Sequence, residues 1–145
     1  MGYMIAQCMI NILRDRTIQK EVVCVVTQMT VDKNDPSMKN PTKFVGPFFK
    51  EEQISELVEK RGWIVKEDKG RGWRRVVPSP KPIEVVEKKL ITKLVESDAV
   101  VVAAGGGGIP VYIEANGWLE GIDAVIDKDL ASAVLGKDIG AEELM

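Results

Sequence analysis

Two runs of apolar, mostly β-branched residues constrain the fold more than any other feature of this 145-residue chain. The first run covers 22–31 and begins Val-Val-Cys-Val-Val, and the second covers 99–104. Continuous apolar runs of this kind are typical of strands that are buried on both faces. Between them, apolar residues recur at helical spacing over 83–96. Strand, helix and strand in this order predict a parallel βαβ unit, and therefore a three-layer α/β fold.

The stretch 32–82 interrupts this unit. Turn signals rich in Asp, Asn and Pro fill 32–47, so we predict a loop there. A short helix over 51–61 and a hairpin of 63–66 with 73–77 follow. We therefore predict a protruding subdomain at 32–82, inserted within a partial domain that covers 1–145.

The remaining elements follow from local patterns. Apolar residues at three- and four-residue spacing predict a helix over 3–14 whose packed face consists of Ile5, Cys8, Met9, Ile12 and Leu13. A polar hairpin is predicted around 114–117. Asp127 has the residue type and the position of an N-cap, so a last helix is expected to begin at Lys128.

Composition limits the chemistry that the chain can carry. The absence of histidine excludes Ser-His-Asp and Cys-His mechanisms and removes the commonest transition-metal ligand, and we predict no metal site. Cys8 and Cys24 are expected to be small buried residues, and without a CxxC or signal-peptide pattern we expect a reducing cytoplasm. A net charge of −2 and the lack of a long apolar run argue against nucleic-acid and membrane partners.

Two stretches beside predicted strand and helix ends could bind an anion. Gly105, Gly106, Gly107 and Gly108 directly follow the second apolar run, where glycine amides can approach a phosphate, or simply form a tight turn. Asp127-Lys128-Asp129 lies at the start of the last helix, where the amides and a lysine favour anions. The two carboxylates either position Lys128 or cap the helix.

Two further stretches lie within 32–82. Lys43 follows Asn40-Pro41-Thr42 and is either a solvated surface lysine or a ligand for an anion. Arg71 and Arg74 belong to Gly70-Arg71-Gly72-Trp73-Arg74-Arg75, which is either an anion clamp or a hairpin with outward arginines.

Several motifs in one register cover essentially the whole chain: Asn34-Asp35-Pro36, Lys39-Asn40-Pro41-Thr42-Lys43, Gly46-Pro47-Phe48, Lys66-Glu67-Asp68, Gly70-Arg71-Gly72-Trp73-Arg74, Val77-Pro78-Ser79-Pro80-Lys81-Pro82, Gly105-Gly106-Gly107-Gly108-Ile109-Pro110-Val111 and Ala124-Val125-Ile126-Asp127-Lys128-Asp129-Leu130-Ala131-Ser132. This set resembles carbamate kinase.

The resemblance implies an amino-acid-kinase-like α/β/α fold and phosphoryl transfer between carbamoyl phosphate and ADP, giving ATP and carbamate in arginine breakdown. It implies that Lys43 and Lys128 contact the transferring phosphoryl group and that Asp129 holds lysine side chains in place. Mg²⁺ would enter with ADP or ATP as substrate, and the protein would be a cytoplasmic homodimer. Phosphoryl transfer needs positioning and positive charge more than a base, so the lack of histidine is no obstacle.

The family also has two glycine-asparagine loops before this region, and nucleotide-holding loops with a further lysine after it. This sequence contains neither, so we expect the central portion of a carbamate kinase, truncated at both ends and inactive by itself. Two alternatives stay open: a non-catalytic fragment or interaction module, and another amino-acid kinase that forms an acyl phosphate.

Overall fold

The computed structural model describes residues 1–144, and within this range it contains four α-helices and nine strands. The helices are α1 (Gly2–Asp15), α2 (Ile54–Arg61), α3 (Lys88–Glu96) and α4 (Lys128–Ile139). The strands are β1 (Val22–Cys24), β2 (Gln28–Val31), β3 (Lys43–Phe49), β4 (Val65–Glu67), β5 (Trp73–Val77), β6 (Pro82–Val85), β7 (Val100–Val102), β8 (Ile109–Ile113) and β9 (Leu119–Gly121). The predicted mixed α/β class is confirmed. No helix in the described part of the chain is long and apolar enough to cross a membrane.

The strands form three sheets. β1 and β7 pair in parallel, β6-β2-β8-β9 form a four-stranded sheet, and β3-β5-β4 form an antiparallel three-stranded sheet. β2 and β8 also run in parallel, while β6 and β9 are antiparallel to their neighbours. The hydrophobic core lies between the four-stranded sheet and the helices α3 and α4, and its buried members are Met29, Val31, Val85, Ile91, Ile126 and Ala131.

The first apolar run is not one strand, and that prediction is wrong. It divides into β1 and β2, which belong to different sheets, and the intervening Val26 is 73% exposed. The division occurs because the backbone of Val25 still bonds to Val102 in the first sheet, whereas the carbonyl of Thr27 accepts from Ile109 in the second. The strands β1 and β7 are also at most half-buried, so the expected burial on both faces is wrong as well.

Two element boundaries also differ from the sequence-based expectation. The start of the predicted helix over 83–96 is strand β6, because Val85 pairs with Met29 and is fully buried in the core. Part of the predicted loop over 32–47 is strand β3, which pairs with β5 from Lys43 opposite Val77. In both places, pairing with a distant strand decides the conformation, where helical spacing of apolar residues or local turn signals predicted another.

The short-range predictions are confirmed where the signal is a cap or a tight turn. α2 ends at Gly62, which has φ +61° and the left-handed conformation that glycine adopts most readily. The hairpin β4–β5 and the turn before β9 occur where predicted. α4 begins at Lys128, and the side chain of Asp127 accepts hydrogen bonds from its first amides.

The segment 32–82 supplies all of the β3-β5-β4 sheet and the helix α2. Three contacts join it to the segment 122–128: an ion pair of Lys43 with Asp127, an ion pair of Arg75 with Asp123, and a backbone hydrogen bond from Val125 to Pro78. Its separation as a subdomain stays a prediction.

Helix α1 has apolar residues on two faces, and only one of them is packed. It contacts β1 and β7 through a half-buried face that includes Met9 and Leu13. The other face, which we call the α1 stripe, is exposed and consists of Met1, Met4, Ile5, Cys8 and Ile12. The predicted packed face is therefore wrong for Ile5, Cys8 and Ile12. The prediction that both cysteines are buried is also wrong, since Cys8 and Cys24 are exposed.

The α1 stripe and the short β1–β7 sheet lead us to expect that the purified chain self-associates. Exposed apolar surface costs about 25 cal/mol per Å², and unpaired strand edges favour pairing between chains. The double variant Ile5→Lys/Ile12→Lys should shift the chain towards a monomer in size-exclusion chromatography with light scattering. The double variant Met9→Lys/Leu13→Lys is the matched control, because it places the same two charges on the packed face and should lower the melting temperature instead. A monodisperse wild-type monomer with a sharp, high-temperature transition would contradict this expectation.

Candidate anion-binding site

The N-terminus of α4 is the structural centre of the candidate site. Asp127 has extended backbone angles, and its Oδ1 accepts hydrogen bonds from the amides of Asp129 at 2.9 Å and Leu130 at 3.4 Å. This is N-capping, which satisfies amides that a helix leaves without intrahelical partners. One side-chain oxygen of Asp127 is thereby used for the local structure, and its other oxygen is available for a partner.

That partner is Lys43, which lies 84 residues earlier in the chain. Lys43 is the first residue of β3, and its Nζ donates to Oδ2 of Asp127 at 2.7 Å. The ammonium group of Lys43 therefore lies at the start of α4, against the residue that precedes Lys128. Of the two open interpretations of Lys43, the structure does not support a freely solvated lysine, because its side chain is 37% exposed and paired.

Two ion pairs, Lys43 with Asp127 and Lys128 with Asp129, lie at the start of α4. The hydrogen bond from Lys43, reinforced by the amides of Asp129 and Leu130, lowers the pKa of Asp127 from 3.8 to about 2. Lys128 donates to Oδ1 of Asp129 at 2.6 Å, and this hydrogen bond raises the pKa of Lys128. Lys128 is thus cationic at neutral pH, and each of the two lysines is paired with its own carboxylate. Asp129 contacts Lys128 in this structure, whereas Lys43 is held by Asp127.

The four glycines form a tight turn between β7 and β8. The amides of Gly107 and Gly108 both donate to the carbonyl of Ala104, at 2.7 and 2.6 Å. Gly107 has φ +132°, and a Cβ there would lie 2.5 Å from the carbonyl oxygen of Ile126, so only glycine fits. The turn is therefore packed against the residue that precedes Asp127. These contacts account for a turn, and phosphate binding by Gly105–Gly108 stays a prediction.

Thr27 anchors the entry to this turn, and sequence reasoning did not single it out as a functional residue. Its side chain accepts a hydrogen bond from the amide of Ala104 at 2.8 Å and donates to the carbonyl of Val25 at 3.1 Å. Thr27 is 5% exposed. The available signal was a hydroxyl residue that interrupts an apolar run. Asp127 was predicted either to cap the helix or to position Lys128, and its pairing with Lys43 was missed because nothing local indicates a partner 84 residues away.

Arg71 and Arg74 lie in the three-stranded sheet and share one carboxylate. Arg71 donates to Oδ1 of Asp68 at 2.8 Å and Arg74 to Oδ2 at 3.3 Å, and the Asp68 side chain is only 5% exposed. The hydrogen bond from Arg71 lowers the pKa of Asp68. Both guanidinium groups also lie over the ring of Phe48. Among residues 1–144, the hydrogen bonds of these arginines go to Asp68 and Gly46 and not to the α4 site, and their role as anion ligands stays a prediction.

Charge is distributed unevenly between the two parts of the chain. The segment 32–82 contains twelve basic and eight acidic residues, whereas the remaining residues include eight basic and fourteen acidic ones. The positive surplus therefore lies on the segment that carries Lys43, Arg71 and Arg74, which favours an anionic ligand where this segment meets α4. Within residues 1–144, no three His, Cys, Asp or Glu side chains are grouped so that they could hold a metal ion.

Comparison with known proteins identifies relatives for almost the whole chain. It is 56% identical to a carbamate kinase of Pyrococcus horikoshii over 144 residues, which are 99% of this chain and 46% of the relative. It is 47% identical to a carbamate kinase of Staphylococcus epidermidis over the same length. No family model matches the chain.

Solved structures give the same result. A carbamate kinase from Giardia lamblia bound to citric acid has a TM-score of 0.86 at 44% identity, over 96% of this chain and 45% of that one. The same Giardia enzyme bound to AMP-PNP has a TM-score of 0.82, and a protein from Aeropyrum pernix K1 has one of 0.90 at 41% identity. The expected amino-acid-kinase fold is confirmed. The chain spans a little under half the length of the relatives it matches.

Proposed function

This chain is a homologue of the carbamate kinases, and we propose that it supplies part of the active site of such an enzyme. The reaction would transfer a phosphoryl group between carbamoyl phosphate and ADP, giving ATP and carbamate. The observation that supports this most directly is the ion pair that brings Lys43 to Asp127, the residue next to Lys128 at the N-terminus of α4. Two ammonium groups at a helix N-terminus form an environment suited to a phosphoryl group.

The chemistry of phosphoryl transfer fits the residues that are present. The transition state is loose and its negative charge is spread over the phosphoryl oxygens, so catalysis depends on positioning and on positive charge. Lys43 and Lys128 would supply that charge, and Asp129 would orient Lys128 through its 2.6 Å hydrogen bond. The Gly105–Gly108 turn would lie beside the phosphates, because Gly107 packs on Ile126.

The remaining parts of the proposal concern substrates and assembly. Arg71 and Arg74 would add to the positive field on the side of the 32–82 segment. Mg²⁺ would enter as the complex with ADP or ATP, since the described residues offer no cluster of carboxylates to hold it alone. We further propose a cytoplasmic homodimer that acts in arginine catabolism, with no nucleic-acid or membrane partner.

A graft tests this function. The 144 matched residues of the Pyrococcus horikoshii carbamate kinase are replaced by those of this chain, which is 56% identical to them. We expect the graft to make ATP from carbamoyl phosphate and Mg-ADP at a rate within about tenfold of the parent enzyme, as measured by a coupled luciferase assay. A graft that folds, with a cooperative melting transition, but has no turnover would support a non-catalytic module instead.

A further inference from the structure

We propose that Asp127 is the positioning residue that holds Lys43 at the phosphoryl site. This inference rests on the proposed function, because the position matters only if a phosphoryl group binds there. It assigns to Asp127 a role that the family resemblance gave to Asp129.

The two carboxylate oxygens of Asp127 have different partners. Oδ1 of Asp127 accepts from the amides of Asp129 and Leu130, which fixes the carboxylate on α4. Oδ2 accepts from Lys43 at 2.7 Å. The amides of α4 therefore fix the orientation of this carboxylate, and the carboxylate in turn fixes the position of the Lys43 ammonium group.

The contact with Asp127 restricts a flexible side chain. Lysine has several rotatable bonds, and fixing its ammonium group in one place costs conformational entropy that a hydrogen-bonded partner offsets. Lys128 is a second cation at the same helix end, and it is paired with Asp129. Without the carboxylate of Asp127, Lys43 would lose its partner at this helix end, and its side chain would be mobile.

Lys43 and Asp127 come from different segments of the chain. Lys43 begins β3 in the segment 32–82, whereas Asp127 precedes α4 in the rest of the chain. The pair therefore sets the position of a side chain of one segment relative to the helix of the other. Arg75 and Asp123 join the same two segments nearby, but their contact does not include Lys43.

The test uses the graft and the variant Asp127→Asn, because asparagine can still cap the helix but carries no charge for Lys43. We expect kcat to fall by about 10²-fold with little change in KM for ADP, since misplacing a catalytic group has an effect of this size. In the double variant Asp127→Asn/Lys43→Ala, kcat should be no lower than in Lys43→Ala alone. Asp123→Asn is the matched control and should leave kcat unchanged. Losses that multiply in the double variant would overturn the inference.

A second measurement separates the inference from the proposed function. Carboxyl NMR of the 145-residue chain should give Asp127 a pKa of about 2. This pKa should rise towards 3.8 in Lys43→Ala. The lowered pKa means that the ion pair of Asp127 with Lys43 stabilises the fold above pH 3.8. This stabilisation is lost as the pH falls through about 2. An ordinary pKa that does not respond to Lys43→Ala overturns the inference. If the graft is inactive but Asp127 of the chain has the lowered pKa, the result contradicts the proposed function and supports the inferred contact between Asp127 and Lys43.

Discussion

Replacing Lys128 by alanine in the graft should lower kcat by about 10²–10³-fold, which is the usual effect of removing one preorganised charge donor from an active site. Lys128 lies in the first turn of α4, and the hydrogen bond to Asp129 raises its pKa, so it is cationic throughout the assay range. Lys43→Ala should have an effect of the same size, because Lys43 is paired with Asp127, the N-cap of α4, next to Lys128.

The control for these variants is Lys137→Ala. Lys137 is an exposed lysine in the last turn of the same helix, so the substitution removes the same charge and chain length far from the site. It should leave kcat and the melting temperature nearly unchanged. If Lys43→Ala or Lys128→Ala also left turnover unchanged, the proposed role of that lysine would be wrong.

The isolated 145-residue chain should make no measurable ATP from carbamoyl phosphate and Mg-ADP. Its relatives are about twice as long, and this chain aligns with 46% of the Pyrococcus horikoshii enzyme. Phosphoryl transfer requires both substrates to be positioned together, and the loss of that positioning removes about 7–11 kcal/mol of barrier reduction. The luciferase assay should therefore give the background rate, while the complete Pyrococcus horikoshii enzyme, assayed in parallel, gives normal turnover.

A second readout makes this prediction specific. In isothermal titration calorimetry, ADP should bind to the graft and not to the isolated chain at the same protein concentration. Normal turnover by the isolated chain would show that these residues contain a complete active site. It would also remove the reason for proposing that the chain acts as a part of a longer enzyme.

Local signals in the sequence predicted a large part of the fold. The helix α2 and its end at Gly62, the hairpin β4–β5 and the cap of α4 all depend on residues within a few positions of one another. The motifs that resemble carbamate kinase identified the family, and the comparisons confirm it. They also identified Lys43 and Lys128, whose roles stay predictions.

The errors have one cause, which is pairing between residues that are far apart in the sequence. The run 22–31 contains no local sign that its backbone changes sheets between Val25 and Thr27. Hydrophobic periodicity showed that α1 is a helix, but not which of its two apolar faces would pack on β1 and β7. Strand pairing likewise determined that Lys43 begins a strand and not a loop.

The sequence by itself therefore determined the residue types of the site, its family, and the elements stabilised by local contacts. Only the tertiary structure decided which charges meet: Lys43 with Asp127, and Arg71 and Arg74 with Asp68. The physical reason is that caps and tight turns are formed by neighbours along the chain, whose geometry the backbone restricts to a few conformations. An ion pair across 84 residues depends instead on how whole elements pack, and no short-range pattern encodes it.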